Sequence, residues 1–166
     1  MLNFINYLIN ESISSGLSKL DSEINSILKN KYKLNFEDQY FWKECFIPKC
    51  TEFLKQIGFI NPPECGRHRC TFISINRNIV IKIPKNSTGI AVNLDEYKSQ
   101  NHPENKHAKS KLIYMEQTGI PILIMEKLDV VTNYANRPRW GWEYDGDQIG
   151  IDRKGRWKAY DYSTID

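Results

Sequence analysis

The chain has 166 residues, of which 40% are apolar, and a formal net charge of +3. This length suits one ordinary domain, and the apolar fraction is sufficient for a packed core, which excludes wholesale disorder. The charge is too small to indicate nucleic-acid binding by itself. No apolar run reaches the length of a membrane helix and no signal-like segment is present, so we expect a soluble protein, without membrane association, in a reducing cytoplasm.

Residues 1–60 are predicted to be helical. Asn35 precedes an acidic segment and is a candidate cap for a second helix. We expect these helices to pack on the rest of the protein through one apolar face. Apolar residues recur at helical spacing at Leu17, Leu20, Ile24, Ile27 and Leu28, then at Trp42, Phe46, Phe53, Leu54 and Ile57.

Four cysteines lie near the end of this region and just after it, as Cys45 with Cys50 and Cys65 with Cys70. Four intervening residues is at the limit of the spacing that metal sites use, and Pro48 interrupts the first pair. Free, mostly buried thiols are therefore favoured over a structural zinc site or a disulfide.

A strand that contains one lysine is predicted over residues 78–86, where Lys82 lies among β-branched residues. A lysine in an apolar strand is costly unless its ammonium meets an anion. The segment from Gly89 is typical of a helix start, and Glu96 in it is the best candidate for the counter-charge.

Two further pairs of strands follow. Residues 111–129 predict two strands around a turn at Gly119–Pro121 and an extended exit through Leu128. The C-terminal region predicts a hairpin with strands Ile149–Asp152 and Arg156–Asp161. Gln148 precedes the first of these strands, and Asp161 ends the second.

These pieces, in this order, resemble the protein-kinase fold. Kinases place a lysine in a Val-Ala-Ile-Lys strand against ATP phosphates and a glutamate of the next helix. An Asn and the Asp of Asp-Phe-Gly flank a later hairpin and hold metal ions. Val80–Ile83, Glu96 and Ile122–Leu128 match the strand, the helix and the hinge, and Gln148 and Asp161 are separated by the same interval as that Asn and Asp.

More specifically, the residues from Val80 to Glu96 are similar to those of small kinase-like proteins of tailed bacteriophages. The similarity covers about residues 66–163, with residues 132–147 poorly matched. It implies a kinase N-lobe-like antiparallel sheet with one helix (residues 61–131) and a reduced C-lobe hairpin (132–166). With the helical N-terminal region (1–60), which lies outside the resemblance, these parts predict an α+β fold.

The resemblance also implies a site for ATP and Mg²⁺. Lys82 and Glu96 would be the phosphate-binding pair, and Asp161 and Gln148 the metal ligands. The phosphate-covering loop would be formed by Gly66, Arg67 and Arg69, with one glycine where kinases use three. The alternatives are a structural Lys82–Glu96 ion pair in a retained fold and a solvated basic loop.

The catalytic base is not recognisable as His-Arg-Asp. Glu143 stands at the matching interval before Gln148, and Asp145 and Asp147 lie near it, so these three carboxylates are the candidates for the catalytic role. A solvated turn is the alternative interpretation. The residues between Val131 and Gln148 are too few for the two helices that kinases have there, and those after Asp161 too few for a substrate lobe.

Three functions remain open. The favoured one is a pseudokinase-type phage protein, with weak or absent ATP affinity, that serves host takeover by binding a host or phage protein. Its candidate anchors are aromatic: Trp140, Trp142, Tyr144 and Trp157. The alternatives are an active small kinase or nucleotidyl-type transferase that uses Mg-ATP, and a single-stranded nucleic-acid binding module, for which basic and aromatic residues interleave over 137–142 and 153–158.

The implied location is the cytoplasm of the host cell. Residues 1–11 end in Ile9-Asn10-Glu11, which is similar to the cleaved head-targeting segments of some tailed phages. On that interpretation the protein would be packaged in the virion and injected; an ordinary surface-packed helix is the alternative.

Overall fold

The computed structural model describes residues 11–31, 35–100, 106–131, 134–144 and 148–161. Within these ranges the protein is α+β, as the sequence predicts. None of the helices in these ranges is both long enough and apolar enough to cross a membrane. The helices are α1 (Glu11–Lys31), α2 (Ile47–Gln56) and α3 (Ser87–Ser99), with a wide π-type segment, Phe41–Phe46, leading into α2. The strands are β1 (Glu64–Cys65), β2 (Arg69–Ile73), β3 (Ile79–Pro84), β4 (Ser110–Tyr114), β5 (Pro121–Glu126), β6 (Asp129–Val130), β7 (Ile149–Ile151) and β8 (Trp157–Ala159).

Two antiparallel sheets form the β portion. The larger has the order β1-β2-β3-β5-β4, and α3 is the connection between β3 and β4. The smaller has the order β6-β7-β8 and contains the predicted terminal hairpin, with each strand shorter than predicted. Gly119, with a φ of 72°, lies in the predicted turn between β4 and β5. This conformation is open to glycine because it lacks a Cβ.

The larger sheet has two different faces, because side chains alternate along a strand. On β3, Ile79, Ile81 and Ile83 belong to one apolar core. Val80 packs against a second core on the opposite face, and Lys82 shares that face by alternation. The lysine therefore lies opposite the main core, where an open cleft forms.

The helical layer covers the first face. Leu17, Leu20, Ile24 and Leu28 of α1 are buried in the same core as β3 and β5, which confirms the predicted packing of the described N-terminal helices. The residue that caps the next helical segment is not the predicted one. Asn35 Oδ1 accepts a hydrogen bond from Glu37 N at 2.9 Å, whereas Asp38 Oδ1 accepts from Tyr40 N at 2.8 Å where the helical turns begin.

The cysteines partly contradict the expectation of free thiols. Cys65 and Cys70 form a disulfide because β1 and β2 pair with these residues in register, which brings their Cα atoms to 4.0 Å. The two-residue strand β1 has no sequence signal, so this pairing was missed. Cys45 and Cys50 are free and buried, as expected. Burial raises the pKa of both thiols, so they are protonated and unreactive at neutral pH.

A buried carboxylate fixes α1 to the β4–β5 turn. Asp21 is 1% exposed, and its oxygens accept hydrogen bonds from the backbone N–H groups of Gln117 (2.6 Å) and Thr118 (3.2 Å) and from the Thr118 hydroxyl (2.8 Å). These bonds provide acceptors for N–H groups of the turn, which the hydrogen bonds between β4 and β5 do not satisfy. Asp21 therefore sets the position of the helical layer on the sheet.

Replacing Asp21 with Ala is expected to lower the free energy of unfolding by about 1–3 kcal/mol, because the turn donors lose their buried acceptor. Urea denaturation followed by circular dichroism measures this change. The matched control is Glu23→Ala on the same helix, which removes only a half-exposed ion pair with Lys49 at 3.1 Å. Such pairs contribute at most about 1 kcal/mol, and equal losses for the two variants would contradict the anchoring role of Asp21.

Candidate functional site

The predicted ion pair on β3 is present. Lys82 Nζ lies 2.6 Å from Glu96 Oε1, and the two side chains are 4% and 0% exposed. Burial of a single charge is strongly unfavourable, so each of these groups depends on a partner of opposite sign. The strand lysine and the helix glutamate therefore form the centre of a charged cluster.

Helix α3 is held so that Glu96 points into this cluster. Its N-terminus is capped by Asn86, whose Oδ1 accepts from Gly89 N at 2.8 Å. Asn93, fully buried, donates to the backbone oxygens of Lys82 (3.1 Å) and Pro121 (3.0 Å). Because Asn93 and Glu96 are three residues apart, they share one face of the helix. Sequence reasoning gave Asn93 no role, although this spacing was visible.

Arg69 is a second cation in the cluster. Its guanidinium donates to the carboxylates of Glu96 and Asp161 and, at 3.3 Å, to Asn93 Oδ1. Its side chain is only 10% exposed. Arg69 therefore begins β2 and lies among the buried charges, and its contact with a phosphate stays a prediction.

Asp161 completes the cluster from the far end of the chain. Its carboxylate lies 3.5 Å from Lys82 Nζ, and its backbone N–H donates to Glu96 Oε1 at 3.2 Å. The residue has a φ of 59°, a left-handed conformation that Asp adopts more readily than most residues. Lys82, Glu96 and Asp161 thus meet as predicted, while the Asp161 side chain remains 49% exposed.

The terminal hairpin places Asp161. Tyr160 N donates to the backbone oxygen of Gln148 at 2.8 Å, and the buried Asp152 organises the turn by accepting from the backbone N–H groups of Lys154 and Arg156. Burial alone would raise the pKa of Asp152, but its hydrogen bonds from Arg156 and Lys154 outweigh that effect and lower it. The turn carboxylate therefore stays ionised at neutral pH.

The predicted phosphate-covering loop is closed and fixed to its surroundings. Gly66 and Arg67 are exposed, but the backbone oxygen of Gly66 accepts from Lys85 Nζ at 3.0 Å. The His68 carbonyl lies so close to Gly89 that a Cβ at that position would collide with it. The Cys65–Cys70 disulfide joins the two ends of the loop.

A cleft of about 270 Å³ opens beside the cluster. Its charged lining residues are Glu64, Lys82, Glu126, Lys127 and Asp161, of which Lys82 and Asp161 belong to the cluster. The hinge-like segment predicted to end at Leu128 lines the same cleft. Its apolar lining comes from β2, β3, the segment between β5 and β6, and the end of the hairpin: Ile73, Val80, Met125, Leu128, Val130 and Tyr160. The cleft thus combines apolar walls with charged groups of both signs, and small-molecule sites likewise place polar groups in an apolar pocket.

A larger groove, of about 320 Å³, lies between α1 and α2 and is lined by Lys19, Glu23, Lys49 and Glu52 among others. It holds none of the predicted site residues that the structure describes. Its charged groups are surface residues of two helices. The smaller cleft is therefore the better candidate for function, because buried charges converge there.

The other predicted residues lie away from this cleft or outside the described ranges. Glu143 is exposed and is absent from the cleft lining, while Asp145 and Asp147 lie outside the described residues. Among the aromatic anchors, Trp142 is 67% exposed. The other three, Trp140, Tyr144 and Trp157, pack against the second core.

The cluster as it stands does not fit a divalent cation. Within the described ranges, no group of three or more His, Cys, Asp and Glu side chains could hold a metal ion. The Asp161 carboxylate already accepts from Arg69 and faces Lys82. A metal ion there would lie beside two fixed positive charges. Gln148, the other predicted ligand, is half-buried, and its described contact is through its backbone oxygen.

Comparisons with family models, with curated proteins and with solved structures find no match to this chain. Function must therefore be inferred from the cluster and the cleft themselves.

Replacing Glu96 with Ala is expected to lower the free energy of unfolding by about 3–5 kcal/mol, because Lys82 and Arg69 lose the buried carboxylate between them. Thermal and urea denaturation measure the loss. Lys98→Ala, an exposed change on the same helix, is the control and should be close to neutral. A Glu96→Ala protein as stable as this control would show that the pair contributes nothing.

Proposed function

We propose that the protein is a reduced, kinase-like module of the pseudokinase type, which binds an adenine nucleotide weakly and acts by binding a host or phage protein. One observation carries the nucleotide part. Lys82, Asp161 and the hinge-like segment before Leu128, which are far apart in sequence, line a single cleft. Glu96 adjoins it through its bonds to both charged residues. Convergence of these groups at one cleft is the arrangement that the kinase resemblance implies.

The chemistry of the cleft suits a flat apolar ring with an anionic group at one end. Val80, Met125 and Leu128 can pack against the ring, and Lys82 can meet the anion. The volume of about 270 Å³ is just below the usual range of roughly 300–1,000 Å³ for small-molecule sites. The cleft would therefore hold the base and leave most of a phosphate chain outside it, beside Lys82.

Weak affinity follows from the charge of the cluster. Its two cations, Lys82 and Arg69, are balanced by the carboxylates of Glu96 and Asp161, so the formal sum is zero. A phosphate group must compete with these carboxylates for the same cations. Such competition reduces the gain from each phosphate contact.

Binding without phosphoryl transfer is favoured because the described site does not provide the groups that transfer needs. Transfer requires placed metal ions, an oriented base and close phosphate contacts. The described site does not fit a metal ion, and Glu143, the one candidate base in the described residues, is exposed outside the cleft lining. The loop at Gly66 is closed by a disulfide.

The protein-binding part rests on Trp142. Its ring is stacked on the Arg137 guanidinium at 5.0 Å and is largely exposed, so it can be buried in a partner without unfolding the protein. Large aromatic residues of this kind often dominate binding free energies. The nucleic-acid alternative stays a prediction; Trp140 and Trp157, which it needs as stacking platforms, are half-buried.

The nucleotide proposal predicts that adenosine, ADP and ATP bind the wild-type protein, as measured by isothermal titration calorimetry. Val80→Phe should weaken this binding by about tenfold or more, because the larger ring fills the space of the base. Ile75→Phe is the matched control, since Ile75 is exposed and outside the cleft lining. Equal affinities for the two variants, or no binding to the wild type, would contradict the proposal.

Two additions to that experiment separate the alternatives. Incubation with labelled ATP, Mg²⁺ and Mn²⁺, alone and with host lysate, should give no label transfer. Transfer that disappears in Asp161→Ala would instead establish an enzyme. Strong, salt-dependent binding of a single-stranded oligonucleotide would favour the nucleic-acid alternative.

The partner proposal predicts that Trp142→Ala loses the bound host or phage protein in affinity capture while its melting temperature stays close to that of the wild type. The stability follows from the exposure of Trp142, and the loss from its role as an anchor. Lys154→Ala, an exposed change in the hairpin turn, is the control. Undiminished capture by Trp142→Ala would place the contact elsewhere.

A further inference from the structure

The guanidinium of Arg69 joins the two carboxylates of the charged cluster. Nη1 donates to Glu96 and to Asn93 Oδ1, and Nη2 donates to Asp161. Arg69 lies on β2 at the same alternation as Thr71 and Ile73, which line the cleft, and it reaches the cleft through its bond to the lining residue Asp161. A permanent positive charge therefore adjoins the cleft at Asp161.

This position is the one in which a nucleotide site needs a cation. A metal ion in such a site neutralises the carboxylate that holds it and the phosphates that approach it. A guanidinium can do the first of these, because its planar donors match a carboxylate and its charge does not titrate. Since the half-exposed Asp161 carboxylate is already paired with Arg69 and Lys82, a metal ion would have to compete with these two cations to bind there.

The surroundings of Arg69 oppose its displacement. Its backbone oxygen accepts from Gly66 N at 2.9 Å, and the next residue, Cys70, forms the disulfide with Cys65. The His68 carbonyl accepts from Lys85 N at 2.9 Å, which fixes the loop to the end of β3. If the guanidinium moved away, the fully buried Glu96 carboxylate would keep Lys82 as its cationic side-chain partner but lose Arg69.

We propose that Arg69 replaces the divalent cation: it neutralises Asp161 permanently, so the cleft excludes Mg²⁺ and binds nucleotide without it. The ligand side of this inference rests on the proposed nucleotide function. The exclusion of metal from Asp161 is independent of that function, and it can be tested with no nucleotide present.

The first test compares ADP and ATP affinities in EDTA and in excess Mg²⁺ by isothermal titration calorimetry. The wild-type affinity should change by less than about threefold between the two conditions, because no metal bridge forms. Arg69→Gln should bind about tenfold or more weakly in EDTA and recover with Mg²⁺, since Asp161 is then free to accept a cation. Lys55→Gln, which removes an exposed positive charge on α2 outside the cleft lining, should behave as the wild type. Wild-type binding that requires Mg²⁺ would overturn the proposal.

The second test needs no nucleotide and uses Mn²⁺ alone. Paramagnetic broadening of the amide resonances of Tyr160 and Asp161 should be absent in the wild type and present in Arg69→Gln. It should be lost again when Asp161→Asn is added to that variant. Selective broadening at Asp161 in the wild type, or its absence in a folded Arg69→Gln protein, would overturn the proposal.

The two tests separate the failure of each idea. Absence of nucleotide binding in every condition would refute the proposed function alone, and the Mn²⁺ experiment would still decide the role of Arg69. If Arg69→Gln does not fold, the wild-type measurements decide the role of Arg69. Mg²⁺-dependent affinity or selective broadening at Asp161 contradicts the proposal. The absence of both supports it.

Discussion

The carboxylate of Glu96 is the group on which the arrangement of the site depends. It is fully buried and accepts from Lys82 of β3, from Arg69 of β2 and from the backbone of Asp161 after β8. A buried carboxylate without partners is strongly unfavourable, so these elements are stable only where all of them reach it. One helix residue thereby brings together two strands and a segment that is remote in sequence.

The alternation of β3 determines which side of the sheet can be functional. Its isoleucines are buried under α1 and α2, so the opposite face must carry Val80 and Lys82. The helical layer is held on its own face by the bonds of Asp21 to the β4–β5 turn. Because that layer occupies the first face, the cleft forms on the second, between the sheet and the terminal hairpin.

The balance of charge in the cluster connects its stability to the proposed role. Two cations and two carboxylates satisfy one another, which suits a group of residues that is mostly buried. Catalysis of phosphoryl transfer needs charge that is left available to the transition state. A cluster whose charges are already paired is better suited to holding a ligand than to reacting with it, and this is the physical basis for proposing a binding module.

The sequence by itself determined the elements and part of the site. Helical spacing predicted the buried face of α1, and β-branched residues predicted β3. The cost of burying Lys82 predicted a counter-charge, and the kinase resemblance indicated Glu96 as its source. Only the tertiary structure decided the position of Arg69, the role of Asn93 and the Cys65–Cys70 disulfide. Local patterns report which residues share a face of one element. The partner of a polar side chain depends on which elements meet in space and in what register, and that depends on long-range packing.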